Sequence, residues 1–142
     1  MNRNPAIADM TDPPASILIV DDERDNRDLL ELVLAWEGFF ILTAASGEEA
    51  LATVAQQPLD LILLDVMMPG MNGYEVTAKI KGNLATKSIP VMMVSALTDR
   101  NARTLGLAAG AADFLAKPLE RAELVFRVRN CLRNTYADYH DK

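Results

Sequence analysis

Cysteine occurs once in the 142 residues, at Cys131, which excludes an intrachain disulfide and a cysteine-based zinc site. A reducing compartment follows as the natural expectation. Histidine also occurs once, at His140, and is read as inert. Long apolar runs are missing, and none approaches the ~18 residues of a membrane span. The opening segment has Arg3 but no apolar stretch behind it, so it does not read as a secretory signal. Basic residues are outnumbered: 14 Lys and Arg stand against 20 Asp and Glu, a formal net charge of −6. That balance argues against nucleic-acid wrapping or an anionic membrane surface as the main activity. The expectation is a cytoplasmic protein with no direct nucleic-acid contact and no membrane contact. Internal repeats, low-complexity tracts and internal linkers are absent too.

Half of the residues are apolar and 24% are charged, which fits one ordinary globular domain. Residues 1–15, with Pro5, Pro13 and Pro14, read as a flexible N-terminal arm. Residues 16–134 form the domain, and 135–142 read as a C-terminal tail or the start of a linker helix. Within the domain, short apolar runs at 17–20, 39–44, 59–64, 90–94 and 112–116 have the form of strands buried on both faces. Helical periodicity fills the gaps. Segment 26–36 places Leu29, Leu30, Val33 and Leu34 together and stops at Gly38. Ser46 and Glu49 suggest a capping box ahead of Ala50, Leu51 and Val54. Further helices are expected over 74–80, 99–109 and 120–134, the last with Leu124, Val125, Val128, Cys131 and Leu132 on one stripe. Five strands alternating with five helices imply right-handed crossovers and a doubly wound α/β fold with a parallel sheet.

In such sheets chemistry collects at the carboxyl ends of the strands. There the sequence places Asp21 and Asp22 after the first run, Asp65 after the third, Ser95 after the fourth and Lys117 after the fifth. Three carboxylates brought so close repel one another, and a hard divalent cation with oxygen ligands relieves the repulsion. Mg²⁺ is the common intracellular choice, with Mn²⁺ as an alternative.

Asp21-Asp22, Asp65 through Gly73, Ser95-Ala96 and Lys117-Pro118 together resemble the receiver domain of two-component response regulators. The intervals fit that pattern: 43 residues from Asp22 to Asp65, 30 to Ser95 and 22 to Lys117. The resemblance implies a flavodoxin-like sheet of order 2-1-3-4-5. It implies that Asp65 is the phosphoacceptor, open to a sensor histidine kinase or a histidine phosphotransfer protein. It makes Asp21, Asp22, Asp65 and the backbone carbonyl of Met67 the metal ligands. Ser95 would bind the new phosphoryl oxygen, and Lys117 would pair with Asp65 and then with phosphate. Pro118 would follow a cis peptide. Phe114, where Tyr is frequent in the family, would turn inward as the switch. The surface of the fourth helix, fifth strand and fifth helix would then control a downstream protein or an output domain. Arg127 falls where a homodimer through that surface would use a basic residue. Either a stand-alone regulator or the receiver of a longer one fits.

Plainer readings stand beside these. Each Asp alone suits a helix N-cap, Lys117 a solvated side chain, and Cys131 a core thiol. The last helix's arginines suit ion pairs with Glu120 and Glu123. Met67, Met68, Met71, Met92 and Met93 suit packing and turns. Met67 and Leu97 would also tune the phosphoryl lifetime. Two other functions compete. A metal-dependent phosphohydrolase with an aspartyl nucleophile usually has a second acid two residues on, where this chain has Met67, so no enzyme acting on foreign substrates is expected. A flavodoxin-like cofactor binder would need a glycine-rich phosphate loop after the first strand, where Asp21 and Asp22 stand instead.

Overall fold

Each apolar run becomes a strand because both of its faces are covered by helices. The computed structural model describes residues 13–96 and 100–140, with side chains through 134. The strands are β1 (Ser16–Val20), β2 (Phe40–Ala44), β3 (Leu61–Asp65), β4 (Val91–Ser95) and β5 (Asp113–Ala116). The helices are α1 (Arg24–Trp36), α2 (Gly47–Gln56), α3 (Gly73–Lys81), α4 (Arg100–Ala109) and α5 (Arg121–His140). All four strand pairings are parallel, in the order β2-β1-β3-β4-β5. Residue alternation along the strands feeds two cores. Leu18, Val20, Ile62 and Leu64 pack with α2, α3 and α4, while Ile17, Ile19, Leu61 and Leu63 pack with α1 and α5. Burying each such side chain contributes about 1.5–3 kcal/mol.

Only half of the expected capping box forms at α2: Glu49 N donates to the N-cap Ser46 Oγ at 3.1 Å, but the Glu49 carboxylate takes the amide of Ala45, one residue earlier, at 2.7 Å. The complete box is at α3, Asn72 with Glu75, which the sequence reading passed over. Gly38 ends α1 with φ of +97°, a conformation that disfavours any side chain. Of the expected stripe on α1, Leu34 is buried, and Leu30 and Val33 are half-buried. Leu29 instead faces solvent, beside the equally exposed Leu32 and Trp36. The helix is apolar on two faces, and at 100° per residue Leu29 falls on the outer one with Leu32 and Trp36. The fourth helix begins at Arg100, and Asp99 lies outside the described residues. So do residues 1–12 of the expected arm, Leu97, and the side chain of His140.

The expected ion pairs of α5 are replaced by contacts across elements. Arg121 and Arg129 reach Glu37, the latter at 2.8 Å, and Arg129 also lies over the Phe39 ring. Arg127 holds both oxygens of Asp113 at 2.9 Å, and only its contact with Glu123, 3.6 Å, stays within the helix. Glu120 is in no ion pair among the described residues. Hydrogen bonding to Arg129 holds the Glu37 carboxyl below the usual carboxylate range. Cys131 is buried in the α1/α5 core, which pushes its thiol pKa up.

Thr77 on α3 is fully buried, and its hydroxyl has no hydrogen-bond partner among the described residues. A buried hydroxyl without a partner is destabilising relative to a methyl group of the same shape. Thr77→Val is expected to raise unfolding stability by about 1 kcal/mol, read as a higher urea midpoint at unchanged slope. A lowered midpoint would contradict this.

Candidate functional site

The register sets the site. Val20 pairs with both Ala44 and Leu64, so Asp21 and Asp65 come level at the carboxyl edge of the sheet. Ser95 pairs with Ala116 across β4 and β5, and the Lys117 amide donates to the Ser95 carbonyl at 2.8 Å. The Lys117–Pro118 peptide is cis, as the resemblance implied. Four strand ends thereby deliver Asp21, Asp22, Asp65, Ser95 and Lys117 to one rim.

The side chains meet there. One oxygen from each of Asp21, Asp22 and Asp65 lies within 4.8 Å of the others. The Lys117 ammonium stands 3.4 Å from Asp21 Oδ2 and 3.6 Å from Asp65 Oδ2. Asp21 is buried and held from several sides. Its amide donates to the Ala44 carbonyl at 3.2 Å, and its Oδ1 accepts from the Glu23 amide at 2.9 Å. Asp65 Oδ1 accepts from the Met67 amide at 3.3 Å. Asp22 is exposed. The N-cap reading does not account for the group: α1 is preceded by Glu23 without a side-chain cap, while the true caps of α2 and α3 are Ser46 and Asn72.

Burial raises the Asp65 pKa above its ordinary value; Lys117 opposes this, while Asp21 and Asp22 add to it. Three carboxylates against one ammonium leave two negative charges in an all-oxygen donor set. That suits a hard divalent cation. Asp21, Asp22 and Asp65 are the residues that could hold it.

The openness expected of Asp65 is met only narrowly, since the residue is 7% exposed. Asp65 is the last residue of β3 rather than a loop residue after it, and Lys117 lies beside its carboxylate. Ser95 is fully buried. Phe114, expected to turn inward on switching, is already inside, against Met93 and the bare backbone of Gly106 in α4. Met68, Met92 and Met93 are buried as packing residues, but Met67 is exposed. The reading also missed Arg27, whose Nη1 donates to the Asp21 carbonyl at 2.8 Å. An arginine among charged neighbours on a surface helix gave no signal that it reached the site.

Gly106 makes room for the ring: a Cβ there would meet Phe114 Cδ2 at 2.9 Å and Met93 Sδ at 3.0 Å. Gly106→Ala is expected to displace the ring outward. Overlap of this kind costs about 1–3 kcal/mol, partly offset by about 1 kcal/mol of helix propensity. Altered Phe114 ring contacts in NMR spectra would show the displacement, and unchanged contacts would contradict it.

Comparison with known proteins bears on this rim. Residues 17–129 match the family model described as the response regulator receiver domain. Over 119 residues the chain is 47% identical to the response regulator PleD of Caulobacter vibrioides, covering 84% of this chain and 26% of PleD. It is 42% identical over 117 residues to the DNA-binding response regulator MtrA of Mycobacterium tuberculosis, covering 82% of this chain and 50% of MtrA. The chain thus spans a quarter to a half of these relatives. A putative response regulator from Chloroflexus aurantiacus superposes with a TM-score of 0.81 at 42% identity, over 84% of this chain and 98% of that one. Vibrio cholerae chemotaxis protein CheY4 does so with 0.80 at 31%, over 83% and 98%.

Proposed function

Because the chain belongs to the response regulator receiver family of two-component systems, we propose that it takes a phosphoryl group onto Asp65 and passes the change to a protein partner or an output domain. The observation that carries the reading is the convergence of Asp21, Asp22 and Asp65 within 4.8 Å, with Lys117 beside two of them.

Asp65 acts as the nucleophile. A carboxylate oxygen forms the new O–P bond as the donor's N–P bond breaks, and the departing imidazole of a sensor histidine kinase or phosphotransfer protein keeps the electron pair. An ionised carboxylate needs no general base, and alignment with charge neutralisation supplies most of the rate. Asp21, Asp22, Asp65 and the carbonyl of Met67 would hold Mg²⁺ or Mn²⁺, which would supply positive charge to offset that on the phosphoryl oxygens. Lys117 moves from Asp65 to those oxygens, and the Ser95 hydroxyl donates to one of them.

Phosphorylation replaces a carboxylate of charge −1 with a phosphoryl group of about −1.5 to −2 and three acceptor oxygens, which shifts the packing balance of α4, β5 and α5. Phe114 is the switch residue on that surface, with the buried ring as one of its two positions. Arg127 is held by Asp113 of its own chain, so a homodimer using Arg127 would have to displace that pair. Residues 16–134 are the receiver unit. The run of α5 to His140 supports reading 135–140 as the start of a linker helix, not a loose tail. No helix among the described residues is long and apolar enough to cross a membrane, and we place the protein in the cytoplasm. The receiver acts on itself and turns over no foreign substrate.

Incubation with acetyl phosphate is the test. Intact mass should show one added phosphoryl group with Mg²⁺ and none in excess EDTA. Equal labelling without metal, or no labelling of folded protein, would contradict the proposal.

A further inference from the structure

Asp22 stands apart from the other two acids of the cluster. Asp21 and Asp65 are buried, and each has a carboxylate oxygen bonded to a nearby amide. Asp22 is exposed, and among the described residues no hydrogen bond holds its carboxylate. Its direction therefore depends on the backbone that precedes it. The peptide plane entering Asp22 contains the carbonyl of Asp21, and that carbonyl accepts from Arg27 Nη1 at 2.8 Å. Arg27 lies in the first turn of α1, half-buried, and reaches back over the helix N-terminus.

A guanidinium in that place is electrostatically out of position. It adds positive charge at the positive end of a helix dipole. It also stands at the backbone joining two acids, yet among the described residues it forms no ion pair with either. Its bond is to a neutral carbonyl instead. That arrangement does little to balance charge, but it fixes the tilt of one peptide. On the other side of the same turn, the Glu23 amide bonds Asp21 Oδ1 at 2.9 Å. The two bonds bracket the Asp21–Asp22 link.

We propose that Arg27 is a positioning residue for the cation site: it clamps the Asp21–Asp22 peptide and so aims the Asp22 carboxylate at the cluster. The inference rests on the reading that these acids hold a divalent cation. It also predicts a sign that simple electrostatics opposes. An arginine acting only through space repels a cation, so removing it would tighten Mg²⁺ binding. An arginine acting as a clamp leaves Asp22 free to swing when removed, and binding weakens.

The test is calorimetric titration of the whole chain with MgCl₂, for the native protein and for Arg27→Met, Arg27→Gln and Arg27→Lys. Urea melts in EDTA identify the variants that are folded. Arg27→Met, neutral and without a donor, and Arg27→Gln, neutral and with its amide donor on a shorter stem, should bind Mg²⁺ roughly tenfold more weakly, as expected for loss of a ligand-orienting partner. Arg27→Lys, which keeps a donor, should recover part of the loss. Folded neutral variants that bind as tightly as the native protein, or more tightly, overturn the inference while leaving the site intact. A native chain that takes up no Mg²⁺ overturns the reading of the site, and this inference with it.

Discussion

Gly73→Ala is expected to lower unfolding stability by about 2 kcal/mol and to loosen the site with it. A Cβ at Gly73 would lie 2.6 Å from the Asp65 carbonyl oxygen and 2.8 Å from Val66 Cα. Both are backbone atoms, so no side chain can rotate away. The Gly73 amide also donates to the Val66 carbonyl at 2.9 Å, which bonds the start of α3 to the chain just past β3. A methyl group there must push α3 off its capping box or push the end of β3, and Asp65 with it. Overpacking costs about 1–3 kcal/mol, reduced by about 1 kcal/mol of helix propensity, and the immovable contact puts this case at the high end. The crowding falls beneath Asp65, at the backbone that carries it. A lower urea midpoint together with slower acetyl phosphate labelling is the expected pair of results. A variant as stable as the native chain would contradict the argument.

Asp65→Asn is expected to lose phosphoryl labelling and to gain stability. The amide is a poor nucleophile, and loss of the acceptor should reduce incorporation by at least a hundredfold, about 2.7 kcal/mol or more in the barrier. The stability change follows from the raised pKa of Asp65, caused first by burial and then by Asp21 and Asp22. A carboxyl whose pKa is higher folded than unfolded favours folding while it is protonated. That favour is lost as pH rises through the folded value. At pH 7 in EDTA the native chain therefore carries a destabilising charge that Asn does not, and the variant should be the more stable of the two. The advantage should shrink as the pH falls toward about 4, the ordinary carboxylate range. Under the proposed function the native chain binds Mg²⁺, so adding the ion should stabilise it and narrow the gap. Urea melts across pH, with EDTA and with Mg²⁺, check all three. A variant less stable than the native chain in EDTA at pH 7 would show that burial is outweighed by Lys117.

The fold was legible because a parallel sheet buried on both faces writes each strand as an unbroken apolar run. The site was legible because the chain places its chemistry where those runs end. Asp21, Asp65, Ser95 and Lys117 could be brought to one rim by counting alone. What stayed hidden depends on the third dimension. Leu29 and Leu30 are equivalent to a periodicity count, yet one faces water and the other the core. Arg121 and Arg129 find Glu37, more than 80 residues away in sequence, in place of neighbours on their own helix. Arg27 contacts a backbone carbonyl, and a carbonyl has no residue type for a motif to record. The cover over Asp65 arises because β3 runs one residue further than its apolar stretch.

The central claim is that Asp65, at the floor of that acidic rim, is where phosphate is carried. An aspartyl phosphate is an acyl phosphate, and borohydride reduces it to homoserine without touching free carboxylates or phosphoserine. Labelling with acetyl phosphate and Mg²⁺, reduction and peptide sequencing by mass spectrometry should convert Asp65, and no other acid, to homoserine. Homoserine at Asp21 or Asp22, or none in labelled protein, would contradict the account.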